Sequence, residues 1–153
     1  MKFNYIILAI GLLIISCKTQ QTMIKTTTEM EISNFDEGLT GKWILEYMSP
    51  VNGKDVKQLY KIQMPYLNFV DSQKVAGNNG CNNIAGEYST ERDLIKFNTE
   101  KFASTKMFCE GVDEQAFLSV LKTINRYEVT KDGKKLLLYT SDIISMQFVR
   151  EQK

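Results

Sequence analysis

The side chains that could carry chemistry in this chain of 153 residues are three cysteines and 18 carboxylates, because the sequence contains no histidine. This absence excludes Ser-His-Asp and Cys-His catalysis, and it removes the commonest ligand of zinc, copper and iron sites. No adjacent motif would activate Cys109, next to Glu110, as a nucleophile. We therefore expect no catalytic residue, no metal ion and no cofactor.

Carboxylates in the middle of the chain could instead supply the acid and base of a small hydrolase. That chemistry needs two carboxyl groups facing one cleft. The spacing of these residues equally fits a solvated strand edge, a turn and a helix cap, so a carboxylate-dependent hydrolase stays an alternative. The candidates are Glu87, Glu91, Asp93, Glu110, Asp113 and Glu114.

Composition and charge indicate one ordinary globular domain without a polyanionic partner. The chain is 43% hydrophobic and 24% charged, as is usual for a folded domain of this length. Nineteen basic and 18 acidic residues leave a net charge of +1, so no basic field attracts phosphates. Nucleic acid is therefore not expected as a partner.

The first 16 residues have the features of an export signal peptide. Lys2 precedes an apolar run at residues 6–15, which as a helix rises only about 15 Å against a hydrocarbon core of roughly 30 Å. The stretch Ile14-Ile15-Ser16-Cys17 resembles a bacterial lipobox. The resemblance implies cleavage just before Cys17 and acylation of its thiol, with palmitate as a typical fatty acid.

Cleavage would leave residues 17–38 as a lipidated, polar linker ahead of a domain at residues 39–153. As coil, this linker spans roughly 25 Å, so the membrane is the first expected partner, through the N-terminal lipid. Lys18 follows the lipidated cysteine, and the absence of Asp there resembles the sorting pattern for the outer membrane of the cell envelope. We expect a monomer.

Export would place Cys81 and Cys109 in an oxidising compartment. The simplest assignment is a disulfide between them, which would stabilise the fold by roughly 3–4 kcal/mol in the chain-entropy model. Three alternatives remain open: two buried free thiols, a reactive Cys109, and a zinc site completed by two carboxylates.

Short alternating runs of apolar and polar residues predict a series of strands, interrupted by one helix. Asp113 is a suitable N-cap for the helix, whose apolar residues recur on one face up to Ile124. In the last strand, Ile144, Met146 and Phe148 are expected to share one face. The predicted strands lie at residues 43–47, 56–62, 65–71, 84–88, 94–97, 102–107, 126–130, 134–140 and 143–150.

This pattern predicts a mainly β (α+β) domain: a small antiparallel cracked β-barrel or curled sheet with one amphipathic helix as a plug. The expected core residues are the large apolar side chains at the centres of these elements. They are Trp43, Leu67, Phe69, Phe117, Leu121, Leu138 and Phe148.

Several stretches resemble the META domain, the HslJ-like family of bacterial envelope proteins. They include Leu39-Thr40-Gly41-Lys42-Trp43, the turn around Gly80-Cys81-Asn82, and Ser104-Thr105-Lys106-Met107-Phe108-Cys109. Asn79 and Lys106 depart from the usual pattern. The family-motif residues are Gly80, Cys81, Asn82, Thr105, Met107 and Cys109.

The resemblance implies a fold similar to the lipid-anchored pilot proteins of type III secretion, and it supplies no catalytic residues. The favoured function is a non-catalytic, membrane-anchored envelope lipoprotein. Its role would be related to stress or envelope integrity, through binding of a protein or an envelope component. An alternative is a carrier or pilot lipoprotein that holds an acyl chain or an apolar peptide as its ligand.

Overall fold

The computed structural model describes residues 38–152. Predictions for the signal peptide at residues 1–16, for Cys17 and for nearly all of the linker lie outside the described residues. Among the helices of residues 38–152, none is long and apolar enough to cross a membrane.

The described chain consists of nine strands, two short α-helices and one 3₁₀ turn. The helices are α1 (Val56–Leu59) and α2 (Glu114–Leu121), and the 3₁₀ turn is Thr99–Lys101. The strands are β1 (Gly41–Met48), β2 (Tyr66–Phe69), β3 (Lys74–Asn78), β4 (Asn83–Glu91), β5 (Leu94–Phe97), β6 (Ala103–Ser104), β7 (Arg126–Val129), β8 (Lys135–Thr140) and β9 (Ile143–Arg150).

Eight of the strands form a closed antiparallel ring in the order β3-β2-β1-β9-β8-β7-β5-β4, which returns to β3. The long strand β4 closes the ring because its first half pairs with β3 and its second half with β5. The two-residue β6 pairs with the first half of β4, beside β5. The prediction of a mainly β, antiparallel domain is thus confirmed. Of the two predicted forms, a cracked barrel and a curled sheet, the structure has a barrel, and its ring of strands is closed.

Because neighbouring strands alternate in direction, the connections are sorted to the two ends of the barrel. The β1–β2, β3–β4, β5–β7 and β8–β9 connections share one end, which also carries α1 and α2. The opposite end carries Gly38, the remaining turns and residue 152. We refer to these as the strap end and the Gly38 end, the strap being residues 102–112.

The barrel interior is filled by apolar side chains, and α2 contributes to it. All seven residues of the predicted core are at most 1% exposed, so that prediction is confirmed. Asp113 caps the helix as expected, its carboxylate accepting a hydrogen bond from the Ala116 N–H at 3.1 Å. Phe117 and Leu121 are fully buried and join the core cluster of the strands.

Two strand predictions are wrong, one for a local reason and one because of a contact that is distant in sequence. Residues 56–62 contain α1 because Asp55 and Gln58 form a capping box, each side chain bonding the other's backbone N–H at 2.9 Å. The domain therefore has a second α-helix beside the predicted one. Residues 102–107 pair as a strand only at Ala103–Ser104, because an asparagine side chain takes the backbone groups of Met107.

The predicted face of β9 is also partly wrong. Met146 and Phe148 are buried, but Ile144 is 36% exposed and Ser145 is buried. The β8–β9 register shifts here, Leu138 pairing with Met146 and the next residue, Tyr139, with Ile144. Ser145 is the extra residue of this bulge, and an extra residue reverses the alternation of side chains.

At the Gly38 end, Arg150 joins the two termini of the described chain. Its guanidinium donates to the carbonyl oxygens of Gly38, Thr40 and Gly133, with distances of 2.7 Å for the last two. It also lies 4.0 Å from the centre of the Trp43 ring, a cation–π contact. The start of the domain is therefore held against its last strand.

The plug role of α2 predicts that Phe117→Ala will lower the free energy of unfolding by about 3–5 kcal/mol, because it leaves a cavity in a filled core. Gln115→Ala, at an exposed position of the same helix, should change it by no more than about 0.5 kcal/mol. Urea unfolding of both variants measures this. Equal stability of the two variants would contradict the plug assignment.

Candidate functional site

The motif residues meet at the strap end, where the β3–β4 turn faces the strap. The turn occupies residues 79–82 between β3 and β4, and the strap leads from the 3₁₀ turn to α2. The strap begins at Phe102, whose ring covers Gly86 of β4 so closely that a Cβ there would lie 2.0 Å from the ring.

Side-chain amides give the β3–β4 turn its shape. The Asn78 side-chain oxygen accepts a hydrogen bond from the Gly80 N–H at 2.8 Å. The Asn79 oxygen accepts from the N–H groups of Cys81 and Asn82, at 3.2 and 2.7 Å. Asn79 is 1% exposed, so this departure from the family pattern has a structural role.

Gly80 is required both by its backbone conformation and by its neighbour. Its φ of +100° is rarely adopted by residues with a side chain, and a Cβ there would lie 2.4 Å from the Tyr60 ring. Tyr60 is buried, and its hydroxyl lies 3.4 Å from the Asp113 carbonyl oxygen as a donor. Burial, reinforced by the charge of Asp113, raises the pKa of Tyr60.

A disulfide joins the turn to the strap. Cys81 and Cys109 are bonded, with their Cα atoms 5.8 Å apart and 28 positions separating them in sequence. This bond occupies both thiols, so neither is a free nucleophile or a metal ligand in the structure.

The side chain of Asn82 provides the densest contact between the turn and the strap. Its oxygen accepts hydrogen bonds from the Thr105 hydroxyl at 2.8 Å and from the Met107 N–H at 2.6 Å. Its amide nitrogen donates to the Met107 carbonyl oxygen at 3.0 Å and to a Glu114 carboxylate oxygen at 2.6 Å. One buried amide thus binds the backbone of the strap and the first residue of α2.

Thr105 adds a second connection beside Asn82. Its hydroxyl oxygen accepts from the Asn83 N–H, and its own N–H donates to the Asn83 carbonyl oxygen, both at 3.1 Å. Met107 is held by its backbone, and its side chain points away from these contacts, being 55% exposed. Phe108, between Met107 and the disulfide, is 91% exposed.

Two of the carboxylates proposed for the hydrolase alternative lie in the same depression, and both accept hydrogen bonds from other groups of the protein. Asp113 and Glu114 line one open depression of about 460 Å³ with Lys54 and Gln58. Asp113 caps α2, and Glu114 accepts from Asn82, so both carboxylates bind protein groups. Within residues 38–152, no group of three or more cysteine, aspartate or glutamate side chains could hold a metal ion.

Sequence reasoning found the motif residues but missed what they contact. It did not identify Tyr60 or Glu114 as neighbours of the motif, since both are distant from it in sequence. The sequence pattern also does not predict the exposure of Phe108. The capping box at Asp55 and Gln58 is a sequence signal that predicts the start of α1, although it does not predict where the helix packs.

Comparison with known proteins tests the predicted family resemblance. The family model for the META domain matches residues 37–153, so the predicted resemblance is confirmed. Among curated proteins, none matches the chain.

Two solved structures share the fold of this chain, and a third resembles it more weakly. An NMR structure of a protein from Burkholderia xenovorans is 23% identical with a TM-score of 0.59, covering 74% of this chain and 83% of its own. A second NMR structure is 21% identical with a TM-score of 0.50, covering 72% and 88%. A crystal structure of a DUF4847 family protein from Bacteroides vulgatus has 14% identity and a TM-score of 0.49, with coverages of 74% and 94%.

The contacts of Asn82 predict that Asn82→Asp will destabilise the domain at pH 7, because a carboxylate cannot donate to Glu114 and repels it at contact distance. Lowering the pH towards about 4 should restore part of the loss, since one of the two carboxyl groups then binds a proton. Thermal unfolding at both pH values measures this effect.

Asn83→Asp is the matched control, because Asn83 is exposed and its side chain makes one contact, a 3.2 Å hydrogen bond from Asn78. It should have little effect at either pH. If the two variants unfold at the same temperatures, Asn82 does not hold the strap.

The disulfide predicts that alkylation of the denatured, unreduced protein leaves Cys81 and Cys109 unlabelled, with both labelled after reduction. Mass spectrometry of the peptides checks this. Replacing both cysteines with alanine should lower the free energy of unfolding by about 3–4 kcal/mol, because the unfolded chain loses a constraint. Labelling of both thiols before reduction would contradict the bond.

Proposed function

Because the chain belongs to the META domain family, we propose that it is a non-catalytic lipoprotein of the bacterial cell envelope. In this proposal, Cys17 carries the lipid, the polar linker separates the domain from the outer membrane, and the barrel binds a protein or an envelope component. The role is related to stress or envelope integrity, and the protein works as a monomer without a cofactor.

The observation that carries the non-catalytic part of the proposal is the use of the motif side chains. Gly80, Asn82 and Thr105 shape the turn and fasten the strap, and Cys81 and Cys109 are bonded to each other. A catalytic group must be free to contact a substrate. These side chains are engaged with the protein itself, so the motif supports a rigid surface better than an active centre.

The disulfide supports the proposed location outside the cytosol. Disulfides form and persist in oxidising compartments such as the bacterial periplasm, and they are rare in the cytosol. The lipobox resemblance leads to the same location independently, because lipid modification of Cys17 follows export. The two arguments use different cysteines.

The carrier alternative receives less support from the barrel interior. Trp43, Phe117 and Leu121 fill its centre and are not exposed at all. An acyl chain or a peptide bound inside the ring would have to displace such side chains, which destabilises a packed core. Binding on the outer surface of the domain needs no such rearrangement.

The proposal predicts that Cys17→Ser will move the protein from the membrane fraction to the soluble fraction and abolish labelling by a palmitate analogue. The thiol is the acyl acceptor, and stable anchoring needs the acyl chains. Cell fractionation and metabolic labelling of the full chain measure the two effects.

Ser16→Ala is the matched control, because alanine also occurs before the cysteine in lipobox sequences. It should leave fractionation and labelling unchanged. Persistent membrane association of the Cys17→Ser variant would refute lipid anchoring through this residue.

A further inference from the structure

Two adjacent apolar side chains of the strap stand out from the surface. Phe108 is 91% exposed and Met107 is 55% exposed. Neither belongs to the hydrophobic core of residues 38–152 or packs against it. The backbone of Met107 fastens the strap, but the side chains of Met107 and Phe108 take no part in the contacts that hold it.

The backbone on both sides of Phe108 is fixed. Asn82 binds the N–H and the carbonyl oxygen of Met107, and the disulfide holds Cys109. The Val112 N–H donates to the Cys109 carbonyl oxygen at 3.2 Å and closes a turn after the disulfide. An apolar projection on a fixed backbone loses little conformational entropy when it binds a partner.

The apolar projection formed by Met107 and Phe108 lies at the strap end of the barrel, opposite the Gly38 end. Most exposed large apolar side chains of residues 38–152 lie towards the same end. Those towards the strap end are Tyr47, Ile62, Met107, Phe108, Ile143 and Ile144. Val70 lies towards the Gly38 end, and Leu94 lies beside Arg126 at the start of β7.

We infer that Met107 and Phe108 form a docking element that inserts into an apolar pocket of another envelope protein. The inference deepens the proposed function and rests on it for the position of the membrane. A lipid anchor would connect to the domain at Gly38, on the far side of the barrel from Phe108. A protein partner can reach the strap end directly.

The position of the attachment point favours a protein over the anchoring bilayer as the partner. An eight-residue strand such as β1 is about 26 Å long. The linker of the proposed function would span roughly 25 Å if it behaved as a relaxed coil. The linker would have to run alongside the whole barrel to bring Phe108 to the membrane. Contact with the bilayer would therefore use the whole relaxed span of the linker, whereas a protein beyond the strap end is reached without it, which favours a protein as the partner.

The strap also indicates the chemistry of the partner's pocket. A phenyl ring and a flexible thioether fit an apolar pocket, and sulfur contacts aromatic rings favourably. The preceding residue, Lys106, is exposed and cationic. An acidic group at the rim of the pocket would complement it and orient the strap.

The test introduces photoreactive benzoylphenylalanine at position 108 of the full chain in intact cells. The same replacement at Val70, which is 57% exposed towards the Gly38 end, is the control. We expect irradiation to link position 108, but not position 70, to one other envelope protein, identified by mass spectrometry.

The identified protein is then purified and titrated with the domain. Phe108→Ser should raise the dissociation constant at least tenfold, as expected when an aromatic anchor at the centre of an interface is lost. Val70→Ser should leave the dissociation constant unchanged. Both variants replace exposed side chains, so their thermal unfolding should match that of the natural chain.

Four outcomes would overturn the inference: an adduct with lipid alone, an adduct with a second copy of this chain, equal adducts at both positions, or unchanged affinity of Phe108→Ser. Repeating the irradiation in the Cys17→Ser background separates the two proposals. If Cys17→Ser stays with the membrane, the lipoprotein proposal fails, whereas a specific protein adduct at position 108 still supports the docking element.

Discussion

The buried amide of Asn82 is the contact on which the strap end of this barrel depends. It is 1% exposed, and its two polar atoms bind a hydroxyl, a backbone N–H, a backbone carbonyl and a carboxylate. A buried amide with unmet hydrogen bonds is costly, so the strap and α2 must keep their positions for Asn82 to be satisfied. The disulfide at the preceding residue, Cys81, adds a covalent constraint to the same segment.

This arrangement explains how an irregular strap of 11 residues can remain ordered on a small barrel. Its backbone cannot use a regular strand ladder, because only Ala103 and Ser104 pair with β4. Side chains replace the missing ladder: Asn82 serves the backbone of Met107, and the ring of Phe102 seals against Gly86. Hydrogen bonds and the ring of Phe102 therefore fix the inner side of the strap, and the side chains of Met107 and Phe108 are left on its outer side.

Much of the fold could be predicted from the sequence because periodicity and turn chemistry are local signals. Trp43 and Phe117 were assigned to the core from the spacing of apolar residues, and both are fully buried. One error, at residues 56–62, concerns a local signal, the capping box of Asp55 and Gln58. The others occur where a tertiary contact or a bulge overrides the local pattern. The alternation of residues 102–107 cannot show that Asn82 will take their backbone bonds, and the bulge at Ser145 reverses a face that reads as regular. The exposure of Phe108 likewise depends on contacts far away in sequence.

The two ends of the barrel are stabilised by different contacts. At the Gly38 end, Arg150 binds backbone carbonyls and stacks on Trp43, so the start of the domain is joined to its last strand and to the core. At the strap end, Asn82 and the disulfide hold an apolar projection away from that start. The filled barrel between them contributes rigidity, because a packed core transmits position without rearranging. Under the proposed function, an anchor joined to the domain at Gly38 would leave this rigid surface at the opposite end of the barrel, where a second envelope component could bind it.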